Sequence, residues 1–149
     1  MTPLVKIQPA DFDVASEMTE LCRRSGDVGA ITTFTGHVRA EDNLTALILE
    51  YYPAMTAREI ARHAAEAQRN WPLLGVTIIH RVGRLLPGDR IVFVAVAASH
   101  RRAAFEACEF LMDYLKVHAP FWKQEERGGA TNWIEAKGKD DDDAKRWRT

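Results

Sequence analysis

The chain has 149 residues, a formal net charge of −1, 46% hydrophobic and 28% charged residues. This is a globular composition with enough material for one real core, and it predicts a single domain over 1–149 with a charged tail from about 138. The near-zero charge excludes a broadly basic nucleic-acid surface, and no apolar run is long enough to span a membrane. The first 30 residues lack a signal-peptide pattern, so the expected location is the cytoplasm. Cys22 and Cys108 form no CxxC pair, which argues against a cysteine zinc site; both are expected to be buried free thiols.

Taken in order, residues 11–24 predict a helix, with Val14, Met18, Leu21 and Cys22 at helical spacing and Gly26 as the stop. VGAITTFTGHVR (28–39) is rich in β-branched residues and reads as a strand, as does LTALILEYY (44–52). The polar AEDN between them makes a 28–52 hairpin the simple expectation. A helix follows over 56–71, closed by Trp71-Pro72. GVTIIHRVGRLL (75–86) reads as a strand with a bend near Gly83. After the Pro87-Gly88-Asp89 turn, RIVFVAVAA (90–98) is apolar throughout and predicts a strand buried on both faces. Ser99 then caps a helix running from 100 to about 118. NWIEAK (132–137) reads as a short last strand, and the acidic run 140–143 as a solvated tail or a helix start. The fold class is α+β.

The long helix carries His100, Arg101 and Arg102 in its first turn, where the helix dipole disfavours cations by a few tenths to about 1 kcal/mol each. Unpaired backbone N–H groups at the same end attract anions, so the cluster fits an anion pocket. The bland reading is side-chain pairing, for instance Arg102 with Glu106 at i+4. Lys116 lies in the last turn, with Asp113 at i−3, and Lys123 follows the Ala-Pro-Phe-Trp turn, with Glu125 and Glu126 near it; each alone reads more readily as a surface lysine than a catalytic one. A helix of about 18 residues is about 27 Å long. His100 and Lys116 therefore meet around one small ligand only across a dimer interface. Arg39, at a strand end, is a further cation. Glu50 is expected to be buried against a basic group, and His63, His80 and His118 read as surface or partner-satisfied residues. There is no P-loop, GxGxxG, Ser-His-Asp cue or HExxH, and no metal is called.

FTGHVR (34–39), LEYYPAMT (49–56), HRVGRLLPGD (80–89), VAVAASHRRAAFEACEFLMDYLK (94–116) and APFWKQE (119–125) together resemble the large, catalytic subunit of molybdopterin synthase. The resemblance is collinear over roughly residues 4–147. It implies an α/β hammerhead-like fold with an added antiparallel sheet. The implied activity is a sulfurtransferase that inserts two sulfurs into cyclic pyranopterin monophosphate, forming the dithiolene of molybdopterin. The implied sulfur donor is the thiocarboxylated C-terminal glycine of a small ubiquitin-like subunit, with no metal or redox cofactor. A central homodimer with one small subunit at each end is also implied. Lys116 and Lys123 match the catalytic lysines, and Arg39, His100 and Arg101 the substrate-binding groups. Phe34 and Met112 are candidates to line the pocket, with simple core packing as the other reading of each. Lys137 stands where the family carries an arginine, which keeps the charge and loses the planar fork. Tyr51 and Ala54 replace a common His and Gly. Two other readings stay open on the residues alone: a non-catalytic phosphate-ester or nucleotide-binding module, and a dimeric interaction scaffold.

Overall fold

The computed structural model describes residues 1–134, and Lys137, the acidic run and Trp147 lie outside them. Eleven elements follow in the order β1 (Leu4–Gln8), α1 (Val14–Ser25), β2 (Ala30–His37), β3 (Leu44–Tyr51), α2 (Pro53–Asn70), β4 (Leu73–Arg81), β5 (Gly83–Leu85), β6 (Arg90–Ala98), α3 (Arg101–Val117), β7 (Phe121–Arg127) and β8 (Ala130–Ile134). The α+β class holds, built on two four-stranded sheets with orders β1-β4-β6-β2 and β5-β3-β7-β8. No helix among the described residues is long and apolar enough to cross a membrane.

The first sheet is a two-sided core. Alternation along β4 and β6 sends Val76, Ile78, Val92, Val94 and Val96 to one face, where Ile60 and Ala64 of α2 and Ala107, Cys108 and Leu111 of α3 cover them. The opposite residues Ile79, Phe93, Ala95 and Ala97 pack with Phe12 and with Leu21 of α1. This explains the unbroken apolar run 90–98, since a strand covered on both faces needs no polar side. β1 joins β4 in parallel, whereas β4–β6 and β2–β6 are antiparallel. A third cluster, Val38, Leu49, Val82 and Leu85, ties the two sheets together.

Several sequence expectations need correction. The 28–52 segment is no hairpin: β2 pairs with β6 in one sheet and β3 with β5 and β7 in the other. The positive φ angles of Asp42 (51°) and Asn43 (61°) turn the chain out of the first sheet. The bend at Gly83 (φ 89°) splits the expected strand into β4 and β5, which lie in different sheets. Helix α2 begins at Pro53, three residues early, with proline in the first turn where its missing N–H costs nothing. The cap of α3 is His100 rather than Ser99, and it makes no side-chain capping bond. Strands β1 and β7 were not foreseen. Glu50 is exposed, not buried. Cys22 is exposed as well, leaving Cys108 as the buried thiol.

Candidate active site

The C-terminal end of α3 runs into Ala119 and Pro120, and the chain re-enters the second sheet as β7. Side chains alternate along a strand, so Phe121, Lys123, Glu125 and Arg127 share one face of β7, while Trp122, Gln124 and Glu126 share the other. The first set lines an open cleft of about 1210 Å³. Leu115, Lys116 and Val117 of α3 form a second wall, and Trp133 and Ile134 of β8 a third. The end of β2 and the segment after it bring His37, Arg39, Glu41 and Asp42 to the cleft. Three of the cations expected from the sequence, Arg39, Lys116 and Lys123, thus come from three separate segments of the chain to one cleft.

The cleft also holds acids, but arginines engage two of them. Arg39 pairs with Glu41 at 3.3 Å, and Arg127 with Glu125 at 3.1 Å while its Nε donates to the Asp42 carbonyl at 2.9 Å. On the outer face, Glu126 binds Arg84 and accepts from Thr45. Glu125 and Glu126, the acids nearest Lys123 in sequence, thus bind Arg127 and Arg84. Lys116 sits in the last turn of α3, where the helix dipole favours a cation. Arg39, Lys116, Lys123 and Arg127 outnumber the acids Glu41, Asp42 and Glu125 in the lining, so this wall of the cleft carries a small positive excess that suits an anion, over apolar Leu47, Ile91 and Phe121. Among the described residues no group of His, Cys, Asp and Glu is placed to hold a metal ion.

The root of this wall is fixed by hydrogen bonds. Thr56, fully buried in the first turn of α2, donates through Oγ1 to the Pro120 carbonyl at 3.0 Å and accepts from the Tyr52 N–H at 3.2 Å. Beneath it His80 is 6% exposed and stacks on Phe121 with ring centroids 4.0 Å apart. Burial depresses the His80 pKa to about 4, and the charges of Lys123 and Lys116 push it the same way.

Other expected residues lie elsewhere. His100 and Arg101 begin α3, about 24 Å from Lys116 at 1.5 Å per residue, and neither lines the cleft. Arg102 follows the bland reading: its Nε donates to Glu106 at 2.7 Å, and Glu106 also accepts from Trp71 Nε1. Phe34 is 38% exposed on β2, an edge strand, and Met112 is buried against the main core. Sequence reasoning missed Arg127 and Trp133. The alternation Phe-x-Lys-x-Glu-x-Arg over 121–127 was the signal that could have found Arg127.

The model of the MoaE protein family matches residues 7–118. The chain belongs to this family. The molybdopterin synthase catalytic subunit of Mesorhizobium japonicum is 53% identical, over all of this chain and 96% of that protein. A solved structure described as the molybdopterin biosynthesis MoaE protein of Burkholderia ambifaria superposes with a TM-score of 0.86 at 48% identity, covering 99% of each chain. A protein–protein complex of subunits 1 and 2 of molybdopterin-converting factor from Helicobacter pylori matches with a TM-score of 0.74 at 25% identity, over 90% of each chain. The MoaE family model ends before Lys123, but the alignment to the Mesorhizobium relative spans the whole cleft.

Proposed function

We propose that this chain is the catalytic subunit of a molybdopterin synthase, working in molybdenum cofactor biosynthesis as its close relatives are named to do. The observation that carries the residue-level reading is the meeting of Arg39, Lys116 and Lys123 in one cleft. The substrate would be cyclic pyranopterin monophosphate, and the sulfur donor the thiocarboxylate at the end of a small subunit's tail. Both are anions, and both suit a cationic cleft open on one side.

In this reading the tail enters beside α3, and Lys116 contacts its terminal carbonyl. The ammonium stabilises negative charge that develops on the acyl group as sulfur is handed to the pterin. Lys123, on the facing strand, is the second cation and general acid or base. Arg39 neutralises the phosphate or the tail. His100 and Arg101 come from a second copy of the chain and hold the phosphate or pterin, with exposed Phe34 lining the same pocket; Met112, buried in the main core, keeps its packing role. Lys137 adds a further contact. The small subunit, a self-dimer and a cytoplasmic setting belong to this proposal; the Helicobacter complex supports the first of them.

The test is turnover of the cyclic pyranopterin monophosphate with a thiocarboxylated small subunit, followed by mass detection of the dithiolene product. Product from wild type with a large loss in Lys116→Ala supports the reading. Product from both keeps the activity and removes Lys116 from its role. No product, with the small subunit shown to be bound, would leave a binding module.

A further inference from the structure

His80 is the penultimate residue of β4, opposite Ile7 of β1 and Val92 of β6. Strand alternation places it on the same face as Val76 and Ile78, toward α2 and α3. A position with this burial is ordinarily aliphatic. Here an imidazole takes it, and both of its features are committed. Its Nδ1 lies 2.8 Å from the Arg81 carbonyl oxygen. A carbonyl only accepts, so Nδ1 carries the proton and Nε2 the lone pair. Its flat face lies 4.0 Å from the Phe121 ring at 21°.

Phe121 is the first residue of β7 and lines the cleft. It stands two residues before Lys123, hence on the same side of the strand. Its register partner Tyr51 packs on it with centroids 6.5 Å apart. The imidazole therefore touches the strand that presents Lys123, two residues from the lysine, and its orientation is locked by the Arg81 carbonyl. The Arg81 backbone is held in turn, since its side chain donates to the carbonyls of Pro9 and Arg90.

We propose that His80 is a positioning residue for the lysine pair: by stacking on Phe121 it fixes the root of β7 and sets Lys123 against Lys116 across the cleft. The proposal rests on the catalytic reading of the lysines and adds a residue that touches neither substrate nor tail. It separates the two properties of the ring. The flat apolar face does the positioning, and the Nδ1–H bond stops the ring from rotating. A phenyl ring keeps the first property and loses the second; a methyl loses both.

The experiment compares wild type, His80→Ala and His80→Phe in the full complex with thiocarboxylated small subunit, with kcat and KM for the pterin measured separately. Each protein is also labelled with 13C at the lysine ε-carbons, and the Lys123 resonance is assigned by its loss in Lys123→Arg. Misplacing a catalytic group by about 1 Å costs up to about 100-fold. The expected result is a fall of about tenfold or more in kcat for His80→Ala, KM within about twofold, and a displaced Lys123 resonance. His80→Phe recovers most of kcat and returns the resonance. A folded His80→Ala with unchanged kcat and resonance overturns the proposal, as does a His80→Phe no better than His80→Ala. Should His80→Ala fail to fold, His80→Phe decides: near-wild-type kcat and resonance support the stack, and loss of both sinks it. A wild type that binds the small subunit and makes no product defeats the catalytic reading, while the Lys123 resonance still judges the positioning.

Discussion

Lys116 and Lys123 illustrate why single residues in a sequence stay ambiguous. Each has a nearby acid, and each alone passes for a surface lysine. The structure settles their company: they share a cleft with Arg39, and the acids near Lys123 are engaged by Arg127 and Arg84. Substituting Lys116 by Ala is expected to lower kcat by about 100-fold or more, the usual cost of losing a group that stabilises developing charge. The small subunit should still bind, which a pull-down or calorimetry checks; lost binding with normal kcat at saturation would make Lys116 an affinity residue only. The cysteines make a second contrast. Burial pushes the Cys108 thiol up to about 12, so it carries almost no thiolate near neutrality. Cys22 is exposed. Alkylation with iodoacetamide at pH 8 should add one label per folded chain, at Cys22, and a second only after unfolding; peptide mass mapping reads this directly. Helical spacing puts both Leu21 and Cys22 on the inner face of α1; Leu21 is fully buried there, whereas Cys22, about 100° further round, is exposed.

Whole elements were legible where local signals agree. The three helices and the apolar strand 90–98 follow from periodicity, stop signals and β-branched content, and the Gly83 bend is real. What failed was pairing. The β-branched run 28–39 and the apolar run 44–52 look like hairpin partners, yet their sheets differ, because strand pairing is decided by non-local burial rather than by loop length. Strand β7 was invisible for another reason. FWKQEER is mostly charged and follows a proline; its backbone pairs with β3 and β8 on either side, and only Phe121 reaches the core, stacked on His80 of β4. The junction between α3 and β7 is held by Thr56, whose hydroxyl joins the Tyr52 N–H to the Pro120 carbonyl in a fully buried spot. Thr56→Val keeps the shape and leaves both groups unpaired, so a loss of about 1–3 kcal/mol is expected in urea unfolding. Because Pro120 immediately precedes β7, kcat should fall with it. A variant as stable as wild type would show that the two hydrogen bonds are satisfied in another way. The strand packing of β4 against α1 is equally tight: a methyl at Gly75 would meet Ser25 Oγ and Leu21 Cδ1, so Gly75→Ala is expected to cost about 1–3 kcal/mol in the same assay.

At the scale of the whole molecule, two consequences can be measured without resolving any single contact. The first is acid stability. Burial holds both His80 and His63 at a pKa of about 4, below the usual 6.5. Above pH 6.5 both are neutral in the folded and unfolded chain and contribute nothing. Between about 6.5 and about 4 the unfolded chain takes up protons that the folded chain refuses, so stability falls as the pH falls. His80 alone accounts for a loss on the order of 3 kcal/mol across that window, and the more exposed His63 for less. Urea midpoints measured from pH 7.5 to 4.5 should slope downward, and His80→Phe should flatten the slope; an unchanged slope would place the acid sensitivity in other groups. The second consequence concerns assembly. Lys116 and the His100–Arg101 pair stand at opposite ends of a helix of 17 residues, too far apart to grip one pterin phosphate within one chain. If a second copy supplies the pair, two inactive chains can rebuild a site. A Lys116→Ala chain and an Arg101→Ala chain, unfolded together and refolded as a mixture, form about half heterodimers, each with one site that has both residues intact and one that has neither. The mixture should recover about a quarter of wild-type turnover, while each variant refolded alone stays inactive. A site complete within one chain gives no recovery at all, because every chain in the mixture carries a lesion. Recovery would place Arg101 beside the partner's Lys116 cleft, and its absence would return the start of α3 to the surface role that Arg102 already plays.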